Sequence, residues 1–523
     1  MLAMLKTLNK KQGERLSFFL PFGLSFLSGI AMGITVAPVG AWFFAWFALA
    51  PLWVLVVKST RKKISHPILL GFTWAIGYHG VALAWITGIH PMDWLGVPWW
   101  PSLAITLFCW TFISCWGGIL VGLWAGLMAR LTQQKPVLRV LMGTALWCAL
   151  ESLWSAGPLW WSSLAYTQSP QNLVILHLGQ ISGTTTITAL IVAINGLIAE
   201  FWINRHSRKK LSYLAAACVI FIISHLIGFY LYTQPLQDNP STALKIGIIQ
   251  GNIPNKIKLL PEGLRRAITG YTEGYEKLAT QGVDGILTPE GALPFFQRDL
   301  KNTPLLAAVR EKGVIVWVGA FGERGKSYTN SLFTVAGNGE IISRYDKSKL
   351  VPLGEYIPFE QIIGGLIQRL SPLDEHQVHG ASNQIFDTPL GRVIVGICYE
   401  SAFPEIFRRQ AAAGGQFILS SSNDAHYTAA MSAQHHAQDI MRAIETDRWA
   451  VRATNTGYSA FVNPHGKTLW ISGYNTYETH TETIYRRPTQ TLYVRWGDWL
   501  MPLLLIASTL AWVAARTISD EQT

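Results

Sequence analysis

The stretch RVIVGICYES, Arg392–Ser401, decides the fold of the segment around it. A β-branched run delivers Cys398, and Tyr399 and Glu400 follow at once. Such a run reads as a strand. A strand ending in Gly-Ile-Cys places the thiol at the carboxyl edge of a sheet, where α/β proteins commonly build their sites. The other cysteines, Cys109, Cys115, Cys148 and Cys218, all lie in long apolar segments, so geometry offers Cys398 no disulfide partner. A lone thiol often packs as a small hydrophobe. Its position at a strand end argues for more.

Working outward, the neighbouring sequence has the same character. LKIGIIQGN, GILTPE, VIVWVGAF, NSLFTVAG, EIISRYD, QFILSSSND and GYSAFVNP are short β-rich runs bounded by Gly, Asn, Asp or Pro. Helical patterns lie between some of them, at 261–281, 300–312, 402–414 and 430–448. Strands mixed with helices predict a layered α/β domain over residues 233–493, long enough to bury one sizeable core. Residues 356–380 hold no clear strand and carry a Gly-Gly pair among apolar residues. They read either as an insertion packed on the domain or as a mobile lid that dips into lipid.

The flanks are different. Half of the 523 residues are hydrophobic and only 14% are charged. Eight apolar segments, at 17–35, 39–57, 67–88, 102–129, 137–155, 174–203, 211–232 and 497–515, are each long enough to cross a bilayer. Seven precede the α/β domain, in residues 1–232, and one follows it, in 494–523. The first is too long for a signal peptide and reads as an uncleaved anchor.

The net charge of +11 clusters at alternate segment ends, for example Lys58 and Lys63, Arg130 and Lys135, and Arg205 to Lys210. The loops HPMDWLGVPWWP and SAGPLWWSSLAYTQSPQN carry no Lys or Arg. This asymmetry predicts both termini in the cytoplasm and the α/β domain outside it. The charge therefore needs no nucleic acid to explain it. Trp94, Trp99, Trp100, Trp160 and Trp161 crowd the outer loops, where an interfacial anchor belt expects them. Glu151 and His79 lie inside apolar segments; Glu151 reads as a hydrogen-bonding hub, and neither is assigned to catalysis.

A nucleophilic cysteine needs a base. His426, His435 and His436 are downstream but sit in no cysteine-protease signature. Carboxylates are better placed. Glu290 ends GILTPE, and Glu400 lies two residues past Cys398. A carboxylate in an apolar pocket can take a thiol proton. In YDKSKLVPLGE, Lys347 and Lys349 follow a strand and Glu355 follows a Pro-Leu-Gly turn. A lysine can stabilise a developing oxyanion. Each feature alone has a blander reading: a solvated strand-end charge, or two surface lysines. No phosphate loop, dinucleotide fingerprint or metal-ligand spacing appears, so neither cofactor nor metal is expected.

In order and together, TPEG, RYDKSKLVPLGEYIPF and GICYES resemble the Glu–Lys–Cys triad of the nitrilase (carbon–nitrogen hydrolase) superfamily. With eight apolar segments around them, and with QGNIP, SSSND and RAIETDRWAVRATNTGYSAFVNPHG, they look like the apolipoprotein N-acyltransferases of that superfamily. The resemblance implies an αββα sandwich. It makes Glu290 the general base, Lys347 rather than Lys349 the triad lysine, and Cys398 the nucleophile. Glu355, Tyr399 and Glu400 become supporting residues.

The resemblance also implies an acyl transfer through a cysteine thioester. The donor is a phospholipid, phosphatidylethanolamine foremost, and the acceptor is the amine of a diacylglyceryl-cysteine apolipoprotein. The place is a bacterial inner membrane with the catalytic domain in the periplasm. Two positions depart from the pattern: Leu259, and His426-Tyr427, stand where the family often has tryptophan and Trp-Phe. Two rivals stay open. One is a membrane-tethered amidase with the same triad and water as acceptor. The other is a non-enzymatic transporter or receptor with an outer binding domain, although no repeat symmetry supports a transporter.

Overall fold

The structure, a computed structural model, describes residues 19–59, 63–352, 354–356 and 377–520. Most of the 356–380 segment read as an insertion or lid lies outside them. In chain order the strands are β1 (Ala243–Gln250), β2 (Gly285–Leu287), β3 (Ile315–Arg324), β4 (Ser327–Val335), β5 (Ile341–Asp346), β6 (Phe386–Thr388), β7 (Gly391–Ile397), β8 (Ile418–Ser422), β9 (Ala450–Thr454), β10 (Ala460–Val462), β11 (Thr468–Ile471) and β12 (Glu478–Tyr485). They form two six-stranded sheets, ordered β12-β1-β2-β3-β4-β5 and β11-β10-β9-β8-β7-β6.

Each sheet has a parallel centre, β1-β2-β3 and β7-β8-β9. Parallel neighbours need crossovers. The helices Pro261–Ala279, Pro304–Lys312, Pro404–Ala412 and Ala429–Thr446 lie in those connections. The architecture is the αββα sandwich that the resemblance implied.

Side-chain alternation sets the layers. Along β7, Val393, Val395 and Ile397 enter the core between the sheets, beside Ile246, Ile248, Leu287, Trp317, Leu419 and Val451. Ile394 points the other way, into a cluster with Phe407, Ile440 and Met441 of the covering helices. Gly396 shares that outward face, and a Cβ there would collide with the Phe407 ring. The run that opened the reading is therefore buried on both faces, which is why it shows little polar alternation.

Outside the sandwich the helices are mostly apolar. Among the described residues, five helices are long and apolar enough to cross a membrane: Trp99–Leu131, Pro136–Ala156, Thr184–Ile203, Lys210–Tyr232 and Leu500–Thr517. Shorter apolar helices cover Phe19–Gly33, Trp42–Lys58 and Leu173–Ser182. The 174–203 segment, expected as one span, is broken. Gly183 adopts φ +64, and a Cβ at that position would strike the Tyr493 ring. Close packing against a distant part of the chain thus interrupts a helix that composition alone would continue. Leu226, Phe229 and Leu510 are 62%, 55% and 65% exposed on helix flanks, surface suited to lipid tails rather than water. The protein is a membrane protein with several apolar helices.

Inside the helical unit, Glu151 accepts from Trp147 Nε1 at 3.2 Å, Ser163 Oγ at 2.5 Å and Thr188 Oγ1 at 2.9 Å. This is the hub arrangement expected for it. The helical unit and the sandwich share one hydrophobic cluster. Ile440, Met441 and Ile444 of the sandwich's outer helix pack into the same body as Leu176, Ile187 and Ile191.

Candidate active site

Four chain segments converge after the carboxyl ends of β2, β5 and β7. Glu290 lies just past β2, Lys347 directly follows β5, Glu355 follows the Pro-Leu-Gly turn, and Cys398 directly follows β7. The Lys347 ammonium is 2.8 Å from Glu290 Oε1 and 2.8 Å from Glu355 Oε1. It is only 1% exposed, so the reading of a surface lysine fails. Asn330 Nδ2, on β4, donates to the same two carboxylates at 2.6 and 3.2 Å. Glu355 Oε2 also accepts from the amide of Val351 at 2.8 Å, which fixes the turn that carries it.

Burial alone would lower the Lys347 ammonium. Glu290, Glu355 and Cys398 together outweigh it and hold the group well above the ordinary lysine value. Burial also pushes the Cys398 thiol well up, Glu290 adds to the rise, and Lys347 opposes it. The thiol is therefore held neutral beside the Glu290–Lys347–Glu355 set. A thiol in such a place gains charge only by giving its proton to a neighbouring base.

Cys398 itself sits at φ +50, in the left-handed region, at the start of a 3-10 turn Cys398–Ala402. A non-glycine residue held there is strained and must be fixed by its surroundings. Glu400 supplies part of that hold. Its Oε2 accepts from the Ile397 amide at 2.8 Å, and its Oε1 accepts from the Ser348 amide and hydroxyl, each at 2.6 Å. One buried carboxylate thus ties the cysteine turn to the residue after Lys347. With its oxygens so engaged, Glu400 acts as a brace between the two loops. Lys349, the other lysine of the motif, lies over the Phe403 ring at 4.8 Å.

Tyr399 points at the helical unit. Its hydroxyl donates to Pro158 O at 2.6 Å and accepts from Trp160 N at 3.0 Å, and its ring stacks on Trp161 with an interplanar angle of 7°. Trp161 and Trp85 both donate to Gln434 Oε1, at 2.8 and 3.2 Å, and Tyr427 meets the Trp85 ring edge-on. At least Trp161 of the expected anchor belt therefore lies at the site. Tyr399→Phe keeps the ring but orphans both backbone groups, a cost of about 1–3 kcal/mol. A lower thermal midpoint in detergent, with slower acyl transfer, is the expected result; an unchanged midpoint would contradict this docking role.

Sequence reasoning did not single out Asn330, Lys258 or Asp424, and it passed over His435, which the structure places against the Cys398 carbonyl. Lys258 Nζ reaches Glu290 O at 3.4 Å, and burial lowers it to about 8 against the pull of Glu290 and Cys398. Its place in NKIKLLPEG, directly after QGNIP, was the available signal. At the departing positions, Leu259 is exposed, and His426 is hydrogen-bonded to Asn255 Nδ2.

Cys398, Asp424 and His435 also offer donor atoms within 4.8 Å of one another, a spacing that would suit a metal ion. Both His435 nitrogens are already held by oxygen acceptors, and Asp424 is paired with Arg452 at 3.2 Å. The group is committed to hydrogen bonds.

A sandwich of two such sheets, with a buried Glu–Lys–Glu set beside a strained cysteine and a helical membrane unit beneath, defines a membrane-borne enzyme of the carbon–nitrogen hydrolase class. Residues 245–492 match the carbon-nitrogen hydrolase family, and residues 28–197 match the apolipoprotein N-acyltransferase N-terminal domain. The apolipoprotein N-acyltransferase of Nostoc sp. is 74% identical over 483 residues, covering 92% of this chain and 97% of that one. That of Synechocystis sp. is 48% identical over 509 residues, covering 92% and 98%. An amidase from Nesterenkonia sp. is a solved structure similar to the sandwich, at 18% identity and TM-score 0.36, covering 50% of this chain and 95% of that one. The chain belongs to the apolipoprotein N-acyltransferase family, and it is an acyltransferase.

Proposed function

We propose that this enzyme moves a fatty acyl chain from a phospholipid, with phosphatidylethanolamine as the foremost donor, to the amine of a diacylglyceryl-cysteine apolipoprotein, through a thioester on Cys398. Glu290 takes the thiol proton as sulfur attacks the ester carbonyl. Lys347, with a backbone N–H, stabilises the tetrahedral oxyanion. Lysophospholipid leaves and the acyl-enzyme remains. The amine then attacks the thioester, Glu290 accepts its proton, and the thiol is restored. The observation that carries this reading is the buried Glu290–Lys347–Glu355 set at 2.8 Å spacing beside the left-handed Cys398.

The wider arrangement follows from the charge pattern. Eight spans divide as residues 1–232 and 494–523 around a catalytic domain at 233–493. The termini are cytoplasmic and the catalytic domain periplasmic, at a bacterial inner membrane. That sidedness puts the site where both lipid substrates can reach it.

The test incubates the purified enzyme with phosphatidylethanolamine vesicles and reads the Cys398 peptide by mass spectrometry. An added acyl mass is expected, lost when a diacylated lipopeptide with a free amine is supplied. Acyl release to water alone would mark a hydrolase rather than a transferase, and no acylated peptide would overturn the reading. Glu290→Gln keeps an acceptor for Lys347 but removes the base. Single-turnover lysophospholipid release should then fall by roughly 10²–10⁴-fold. An unchanged rate would place the base elsewhere.

A further inference from the structure

His435 has no part in the reaction as written, yet it touches the nucleophile. It lies wholly buried on the Ala429–Thr446 helix. One ring nitrogen, Nε2, is 2.8 Å from the carbonyl oxygen of Cys398. The other, Nδ1, is 3.1 Å from Asp424 Oδ1. A peptide carbonyl is an acceptor only, and so is an ionised carboxylate. For both contacts to be hydrogen bonds, both ring nitrogens must carry hydrogen.

The neighbouring charges agree. Arg452 contacts Asp424 at 3.2 Å and Asp439 at 2.6 Å, one guanidinium between two carboxylates. With both carboxylates ionised, an imidazolium makes the four-residue cluster neutral. A neutral imidazole would leave one net negative charge buried near the thiol, which is costly.

We propose that His435, as an imidazolium held by Asp424, is a positioning residue for the nucleophile. It clamps the carbonyl of the left-handed Cys398 peptide and cancels the Asp424 charge within 4.8 Å of the sulfur. The inference rests on Cys398 being the nucleophile. The other groups acting on that thiol are Glu290, Glu355 and Lys347 from the first sheet's loops, Lys258 from the Asn255–Lys258 turn, Tyr427 and Asp424 after β8, and Arg452 on β9. Arg452 also pairs with Asp424, but it shares its single charge with Asp439, which leaves Asp424 to be balanced by His435.

The test reads the pH dependence of Cys398 alkylation by iodoacetamide, peptide by peptide, in the full-length enzyme. His435→Gln keeps a donor for the Cys398 carbonyl but loses the charge. Its alkylation profile should move to higher pH by about one unit. The double variant Asp424→Asn/His435→Gln is neutral again and should move back toward the parent profile. His435→Ala loses the clamp as well and should alkylate more slowly than His435→Gln at every pH.

An unshifted His435→Gln profile, or a double variant that does not move back, overturns the proposal. If His435→Gln fails to fold and the double variant folds, charge cancellation is again the result. If neither folds, His435 is merely structural and the positioning role falls. Failure of the wild-type enzyme to take acyl from phospholipid would sink the proposed reaction instead. The alkylation comparison would still be readable.

Discussion

Cys398→Ser is expected to fold normally and to lose acyl transfer by at least about 10⁴-fold. The residue sits at φ +50 with its side chain buried, and serine imposes the same backbone strain with a slightly smaller atom. The chemistry is another matter. In the proposed reaction Glu290 removes a proton that burial already makes hard to lose from sulfur. An alcohol holds its proton far more tightly, and the substitution makes Glu290 no stronger a base. The measurement is lysophospholipid release under single-turnover conditions, with mass spectrometry of the variant's peptide that spans position 398. Release near the parent rate would mean that sulfur is not the attacking atom.

Lys347→Met has the second large effect, and it reaches both stability and rate. The substitution preserves length and apolar stem but removes the cation between Glu290 and Glu355. Two carboxylates then face each other with only Asn330 between them. Breaking a buried ion set in this way costs about 3–5 kcal/mol. One of the two acids will hold its proton into a higher pH range.

The sign follows from linkage. An acid whose folded value is raised contributes stability at low pH and loses it as pH rises. The variant's thermal midpoint should therefore fall between about pH 5 and about pH 8, more steeply than the parent's. Acyl transfer should drop by a further 10²–10³-fold or so from the lost oxyanion partner. A variant as stable as the parent, with the same pH dependence, would contradict the buried ion set.

Much of the sandwich was legible because several of its central strands are nearly pure cases. β7 and β8 are buried on both faces and read as unbroken apolar or small runs. The strands that went unread have physical reasons. β12, ETHTETIY, pairs antiparallel at a sheet edge and gives the fully buried core only Ile484. β9 carries Arg452 in the middle of an otherwise apolar run, and only its ion pairs with Asp424 and Asp439 explain a buried arginine there. β6 is three residues long.

Among the site residues, Glu290, Lys347 and Cys398 could be found because each ends or follows a strand in its own motif. His435 could not, because its contact to Cys398 is to a backbone carbonyl, which leaves no trace in residue spacing. The broken 174–203 segment was equally hidden. Its interruption depends on the Tyr493 ring, some three hundred residues later in the chain.

The helix Ala429–Thr446 serves two bodies at once. It is the outer layer of the second sheet, and its Ile440, Met441 and Ile444 are also part of the core of the helical unit. A chain trimmed to the sandwich alone would carry a greasy, unpaired face into solution and should precipitate or demand detergent. Catalysis and anchoring consequently cannot be separated by proteolysis or by domain grafting. A chimera that exchanges only the sandwich would have to bring its floor with it.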